Sequence, residues 1–325
     1  MSGFEEPVRL FLQEKISGFG EVQTDKVGNL WLIIKGKNPE KRKVAFVAHM
    51  DEIGFVVTHI TEKGSAKFKK IGGIDDRILP SQKVEVRTRS GQVIPGIIGI
   101  KPPHLTDPQE QQRVLPYSEL EMFFGFSDDK EAEENGLEVF LPARFHKEIL
   151  RMNEKYLCCR GLDDRAGCFV LLRLAQELSG SQFSGTLYFI WTVQEEYGLR
   201  GARALSRWEF DESYIVDTIS FSPGREASGV SPIQMGKGPV LRVVDRSGIA
   251  SYSLYEKARR VLRQFSFPFQ VAVAGGTTDA TALFEGGSPS LPIGIPLGFS
   301  HSTVEVLHID DVYHTISLCL HLAIA

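Results

Sequence analysis

Val44-Ala45-Phe46-Val47-Ala48-His49-Met50-Asp51 is the stretch on which the fold turns. Five apolar residues in succession, with no polar alternation, mark a short strand buried on both faces. The run ends on an imidazole and, two residues later, an acid. Comparable runs recur at Leu187 to Val193, Tyr214 to Ser220 and Leu291 to Pro296. Between them lie helical patterns: Asp163 to Leu178, with Ala166, Phe169, Val170 and Leu174 among its apolar positions, and a second marked by Leu254, Ala258, Val261 and Leu262. A last helix is expected from Asp311 to the C-terminus. Ahead of the opening run, Val8, Phe11 and Leu12 follow Pro7 at helical spacing, and a turn at Val27-Gly28-Asn29 leads into the apolar run Leu30 to Ile34. Pro7 suits a helix's first turn. Alternation of strand and helix predicts an α/β fold with a largely parallel sheet flanked by helices on both faces.

The middle of the chain has a different texture. Val84-Glu85-Val86-Arg87-Thr88 alternates apolar and polar residues, Ser90-Gly91 makes a turn, and Val93 to Ile100 resumes the pattern. Short strands between Gly and Pro turns predict a small β barrel or sandwich. Within it, Ser127 to Asn135 reads as an acidic helix with Ser127 as N-cap and Gly136 past its end. The Val44 strand needs the later strands as neighbours, so the β-rich part is an insertion. The expected organisation is 1–57 and 151–325 as the two parts of one α/β domain, with 58–150 inserted between them.

Bulk properties narrow the function. The 325 residues carry a formal net charge of −4, with 24% charged and 42% hydrophobic residues. Lys and Arg are scattered, which predicts no nucleic-acid partner. No segment has the apolar length of a membrane span. The start, with Glu5, Glu6 and Glu14 among its apolar positions, lacks the basic-then-apolar order of a secretory signal. The expected location is the cytoplasm. Cys158, Cys159, Cys168 and Cys319 contain no C-x-x-C pair and read as free thiols.

Ligands of open α/β sheets bind beyond the carboxyl ends of the strands. There the sequence places His49 and Asp51, Glu195 and Glu196, Asp217, Asp163 and Asp164 at a helix start, and His301 after a Gly-containing turn. So many acids at buried strand ends are costly unless a cation joins them. His nitrogen and carboxylate oxygen are the common non-thiol ligands of zinc. Five such ligands, His49, Asp163, Glu196, Asp217 and His301, exceed what one catalytic zinc with an open position takes and suit two ions sharing a carboxylate. Each residue also has an ordinary reading. Asp163 could be a helix N-cap, and His59, His104, His146, His308, His314 and His321 read as structural or surface histidines.

In these residues the chain resembles the metallo-aminopeptidase family of glutamyl and tetrahedral aminopeptidases, M42. The matching segments run through nearly the whole sequence: Ala48 to Gly54, Ile71-Gly72-Gly73, Lys101 to His104, Leu162 to Gly167, Gln194 to Gly198, Val216-Asp217, Gly275 to Ala280 and His301-Ser302. The resemblance implies a zinc-peptidase-like catalytic domain and two divalent ions per subunit, zinc first and cobalt as the alternative. It assigns His49, Asp163 and Asp217 to one ion and Asp163, Glu196 and His301 to the other. Glu195 would be the general base, taking the attacking water's proton, and Asp51 the acid that orients the histidine ligand. It further implies peptide substrates cut from a free N-terminus, a dimerising insertion at 58–150, and a homo-oligomer, either a dimer or a larger assembly such as a dodecamer. The Gly275 to Ala280 loop would line the site, with Asp279 as a substrate contact or a cap. A deacylase, a carboxypeptidase-like hydrolase and a non-catalytic metal-stabilised scaffold are the alternatives. The chain departs from the family pattern at Leu297-Gly298-Phe299-Ser300, where an Arg-Tyr pair is usual, at Ser220-Phe221-Ser222-Pro223-Gly224, and over Leu141 to Arg151.

Overall fold

The structure is a computed structural model that describes residues 1–222 and 232–325. Pro223 and Gly224 of the departing segment lie outside the described residues. The chain forms two compact units. The larger comprises Gly3–Asp51, Ile149–Ser300 and Val304–Ala325; the smaller comprises Met1–Ser2, Glu52–Glu148 and His301–Thr303.

The larger unit is built on a mixed sheet. Its centre is four parallel strands in the order Thr186–Thr192, Lys43–His49, Glu212–Phe221, Ser290–Gly298. These are the four runs singled out in the sequence, each one or two residues off the expected bounds. Leu30–Lys35 and then Glu21–Thr24 extend one side antiparallel. Val306–His308, Tyr156–Cys158 and Leu150–Met152 extend the other, also antiparallel. Val240–Val244 branches antiparallel from Ser290–Gly298 and pairs in parallel with Gln270–Val273, so the sheet is mixed, with its longest parallel run at the centre.

Strand parity explains why the central runs are apolar throughout. Val44, Phe46 and Ala48 face a core with Leu171 and Leu174 of helix Leu162–Leu178, Leu254 of Tyr252–Gln264 and Ile316 of Ile309–Ile324. Ala45 and Val47 face the other side, with Leu205 of Arg200–Leu205 and Leu283 of Ala280–Glu285. Residues two apart share a face, so both faces must be apolar. Phe46 stacks on Phe189 and Tyr214 at centroid distances of 5.7 and 5.4 Å. Its truncation to Ala would cost about 3–5 kcal/mol.

The smaller unit is a closed barrel of six strands in the order Gly54–Ile60, Ala66–Ile71, Met122–Phe123, Val93–Ile98, Lys83–Arg87, Pro142–Phe145. Val84 and Val86 point inward, joining Phe55, Phe68 and Phe145, as their alternation requires. The acidic helix spans Asp129–Glu134 and its N-cap is Asp128, whose carboxylate accepts the Glu131 amide at 2.9 Å. Ser127 sits one residue further out, its own amide donating to Glu131 Oε2. Ser127, Asp128 and Asp129 are all good cap residues, and the extended backbone at Asp128 puts its carboxylate in the N-cap position.

Candidate metal centre

His49 ends its strand and Asp217 lies inside Glu212–Phe221, two strands that pair in parallel. Side by side in the sheet, they meet Asp163 at the head of helix Leu162–Leu178. His49 Nε2 stands 3.3 Å from Asp163 Oδ1 and 3.7 Å from Asp217 Oδ1. One ligand atom from each of the three lies within 4.8 Å of the others. Asp163 and Glu196 also each bring a carboxylate oxygen within 4.8 Å of one another.

The helix head departs from its expected shape. Asp163 and Asp164 have non-helical backbone angles, and the peptide between them is cis. The regular helix is capped by Asp164, which accepts the Gly167 amide at 2.9 Å. A Cβ at Gly167 would collide with both Asp164 carboxylate oxygens. Asp163 is held from the other side: Glu305 Oε2 accepts the Leu162 and Asp163 amides at 2.8 and 3.3 Å, and Ser300 donates to Asp163 Oδ2 at 3.1 Å.

His49 turns its Nδ1 toward Asp51, with Oδ1 3.4 Å away, an ion-pair distance. Asp51 is fully buried and accepts the Glu195 and Glu196 amides at 2.9 and 3.1 Å. One carboxylate thus orients the histidine and the Glu195–Glu196 turn together. Within the smaller unit, His301 Nδ1 lies 2.9 Å from the Gly73 carbonyl. A carbonyl only accepts, so Nδ1 carries the proton and Nε2 is left as the ring's lone-pair atom. A Cβ on Gly73 would sit 3.1 Å from that ring.

The electrostatics are those of an acid surplus. Burial alone would depress the His49 pKa, but Asp163, Asp217 and Asp51 around the ring push it well above the ordinary imidazole value. Burial, reinforced by Asp217, Asp279 and Glu196, raises the Glu195 carboxyl well above its usual range. Burial and Asp217 do the same to Asp164. Asp279 is pushed up to about 7, chiefly by burial. It neither caps the helix it precedes nor lies open to substrate: it is 2% exposed and pairs with the Thr192 hydroxyl.

The donor set fits a divalent cation. Tetrahedral ligands about 2.0–2.1 Å from an ion stand about 3.3 Å apart, close to the spacing of His49 with Asp163 and Asp217. The thiols contribute no ligand. All four cysteines are free and buried, and Cys168 donates to the His49 carbonyl at 3.0 Å, bracing the strand end.

A family model described as M42 glutamyl aminopeptidase matches residues 28–318. The chain belongs to that family. The M42 peptidases are metal-dependent hydrolases, and the aminopeptidase reading holds over a deacylase, a carboxypeptidase-like enzyme or a scaffold. The chain is 31% identical to a lysyl aminopeptidase of Pyrococcus furiosus over 92% of its own length and 85% of the relative's. It is 31% identical to a glutamyl aminopeptidase of Lactococcus lactis over 95% and 88%. The TET1 peptidase of Pyrococcus horikoshii, which assembles into a tetrahedron or an octahedral shell, superposes with a TM-score of 0.91 at 35% identity, covering 99% of this chain and 95% of that one.

Three further residues of this site were read only in part or missed. Asp164 was visible as half of an Asp-Asp pair, but not its burial. Glu305 precedes the apolar pair Val306-Leu307, a weak sign of a buried acid. Asn29 was read only as part of a turn. It is fully buried, its Nδ2 donating to Asp25 and to the Gly201 carbonyl while its Oδ1 receives the Val193 amide.

Proposed function

We propose that the chain is a dinuclear aminopeptidase that removes single residues from the free N-terminus of peptides. His49, Asp163 and Asp217 would hold one divalent ion, and Asp163, Glu196 and His301 the other, with Asp163 shared. Zinc is the proposed metal, with cobalt the alternative, because both accept imidazole and carboxylate donors. The observation that carries this reading is the convergence of His49, Asp163 and Asp217 at ligand spacing on the carboxyl ends of parallel strands. Bound there, the ions would supply Lewis acidity to the scissile carbonyl and acidify water.

The residues do the rest. Glu195 accepts a proton from the attacking water and returns it to the departing amine. Burial, the largest influence on its carboxyl, makes it a stronger proton acceptor than an exposed glutamate. Asp51 keeps His49 turned so that Nε2 faces the ligand cluster, and its grip on the Glu195 and Glu196 amides fixes base against ligand. The acid surplus suits a substrate's α-ammonium, which favours cleavage from a free N-terminus over internal bonds.

Residues 58–150 are proposed as an inserted dimerisation domain between catalytic parts 1–57 and 151–325. Ile97 and Phe123, a cross-strand pair exposed on the barrel's outside, offer an apolar surface for a second copy. A homo-oligomer, either a dimer or a larger assembly such as a dodecamer, is proposed, supported by the similarity to the TET1 peptidase, whose structure has been solved as a dodecamer. A cytoplasmic location suits the free thiols, and no helix among the described residues is long and apolar enough to cross a membrane.

The test is a panel of aminoacyl p-nitroanilides and their N-acetylated forms, assayed with Zn, Co and Mn after chelation. Metal-restored cleavage of free-amine substrates alone is expected, and the preferred residue would set the substrate class. Equal cleavage of N-acetylated substrates would overturn the reading.

A further inference from the structure

The Val193–Glu196 turn leaves the sheet with four successive amides, and each donates to a buried or half-buried side-chain oxygen. Val193 donates to Asn29 Oδ1 at 3.1 Å, Gln194 to Glu5 Oε1 at 3.0 Å, and Glu195 and Glu196 to the two oxygens of Asp51. Buried backbone donors must be paired, yet this much side-chain machinery on four residues is more than a turn needs. Gln194 sits in the left-handed region at φ +53, a conformation uncommon for a non-glycine residue and tolerated where the surroundings enforce it.

Glu5 is the acceptor with no other explanation. It occupies the N-cap position of helix Glu6–Ile16, where an acid ordinarily caps its own helix, but its side chain makes no such bond. Its carboxylate instead takes the Gly3 amide at 2.7 Å and reaches across to Gln194, 189 residues away. Only 6% of the residue is exposed. Burial foremost, and the charge of Asp51 next, raise its pKa, so the fold bears an electrostatic cost to keep a second acid there. We propose that Glu5 is a positioning residue for Glu195: by holding the Gln194 amide it fixes the turn from which Glu195 projects. The inference rests on Glu195 being the base. A displacement of about 1 Å at a reacting group lowers rate by about 100-fold, so the hold on one amide is enough to matter.

The experiment compares E5Q, E5A and E5D in the full-length protein, reading kcat, KM, metal content and hydrogen exchange of the Val193–Glu196 amides in the metal-free protein. E5Q keeps an acceptor oxygen and is expected to stay near wild type in both exchange and kcat. E5A is expected to lose on the order of 10- to 100-fold in kcat, with KM and metal content unchanged and exchange at Gln194 accelerated. E5D, which retracts the acceptor, should fall between the two and carries the same test if E5A does not fold. A folded E5A or E5D with wild-type kcat, or an E5Q as impaired as E5A, would overturn the proposal. Wild-type protein inactive on every free-amine substrate would instead overturn the aminopeptidase reading, and the exchange data would still report on the Glu5 contact.

Discussion

Strand Glu212–Phe221 carries a half-buried acid at its start and a buried one in its interior, and the two are treated in opposite ways. Glu212 is met by Arg42 at 2.9 Å, by Lys257 at 3.0 and 2.9 Å and by the Tyr214 hydroxyl at 2.7 Å. Burial works against its ionisation, but those donors outweigh it and hold the carboxyl below its ordinary range. Asp217, five residues on, faces His49 across from Asp163, near Asp164 and Glu195. Two cations balance the first acid; one imidazole stands among several carboxylates at the second. Charge left unbalanced in a buried site marks the place where a cation binds, and it lies beside the carboxyl end of the Lys43–His49 strand, where α/β ligand sites form.

The largest effect should come from E195Q, which removes the proton acceptor without touching a ligand. Turnover should fall by about 100- to 10,000-fold while metal content stays at the wild-type level, as steady-state kinetics beside elemental analysis would show. Chelation comes next. With free ion at about 1,000 times its Kd, binding adds about 4 kcal/mol to stability, so chelator should lower the wild-type melting temperature and zinc should restore it. The same treatment should shift D217N less, because part of the ion-binding energy is already lost. E212Q should behave in the contrary way, losing about 1–3 kcal/mol through weakened hydrogen bonds to charged donors while keeping the full response to chelator and zinc.

The smallest effect is the pH dependence of that loss. Because the folded pKa of Glu212 lies below its ordinary value of 4.5, its contribution is present above that value and fades as pH falls through the folded pKa. The difference in melting temperature between wild type and E212Q should therefore close in acid. A difference that widened in acid would mean the Arg42–Lys257 clasp does not favour the carboxylate.

The contrast between these two acids was only half legible in the sequence. The central strands could be read because parallel strands covered on both faces are apolar without interruption, as Val44 to Ala48 is. One antiparallel flank could not: Val306–His308, Tyr156–Cys158 and Leu150–Met152 are three residues long, too short to show a period. His49, Asp163 and Asp217 were legible because acids and an imidazole at apolar strand ends have few ordinary explanations. Residues that act through others were not. Glu5, Asn29 and Glu305 hold backbone amides 142 to 189 residues away, and nothing local marks such a partner. The Asp163–Asp164 step misled because two acids before an apolar period look like a helix start, whereas the regular helix begins after them, with Asp164 as its cap.

The shared role of Asp163 is the core of the account, and the metal content of purified wild type, D217N and D163N tests it most directly. Two divalent ions per subunit in wild type, one in D217N and none in D163N would bear it out. Equal metal in all three, or a D163N that loses no more than D217N, would contradict a bridging carboxylate and with it the dinuclear centre.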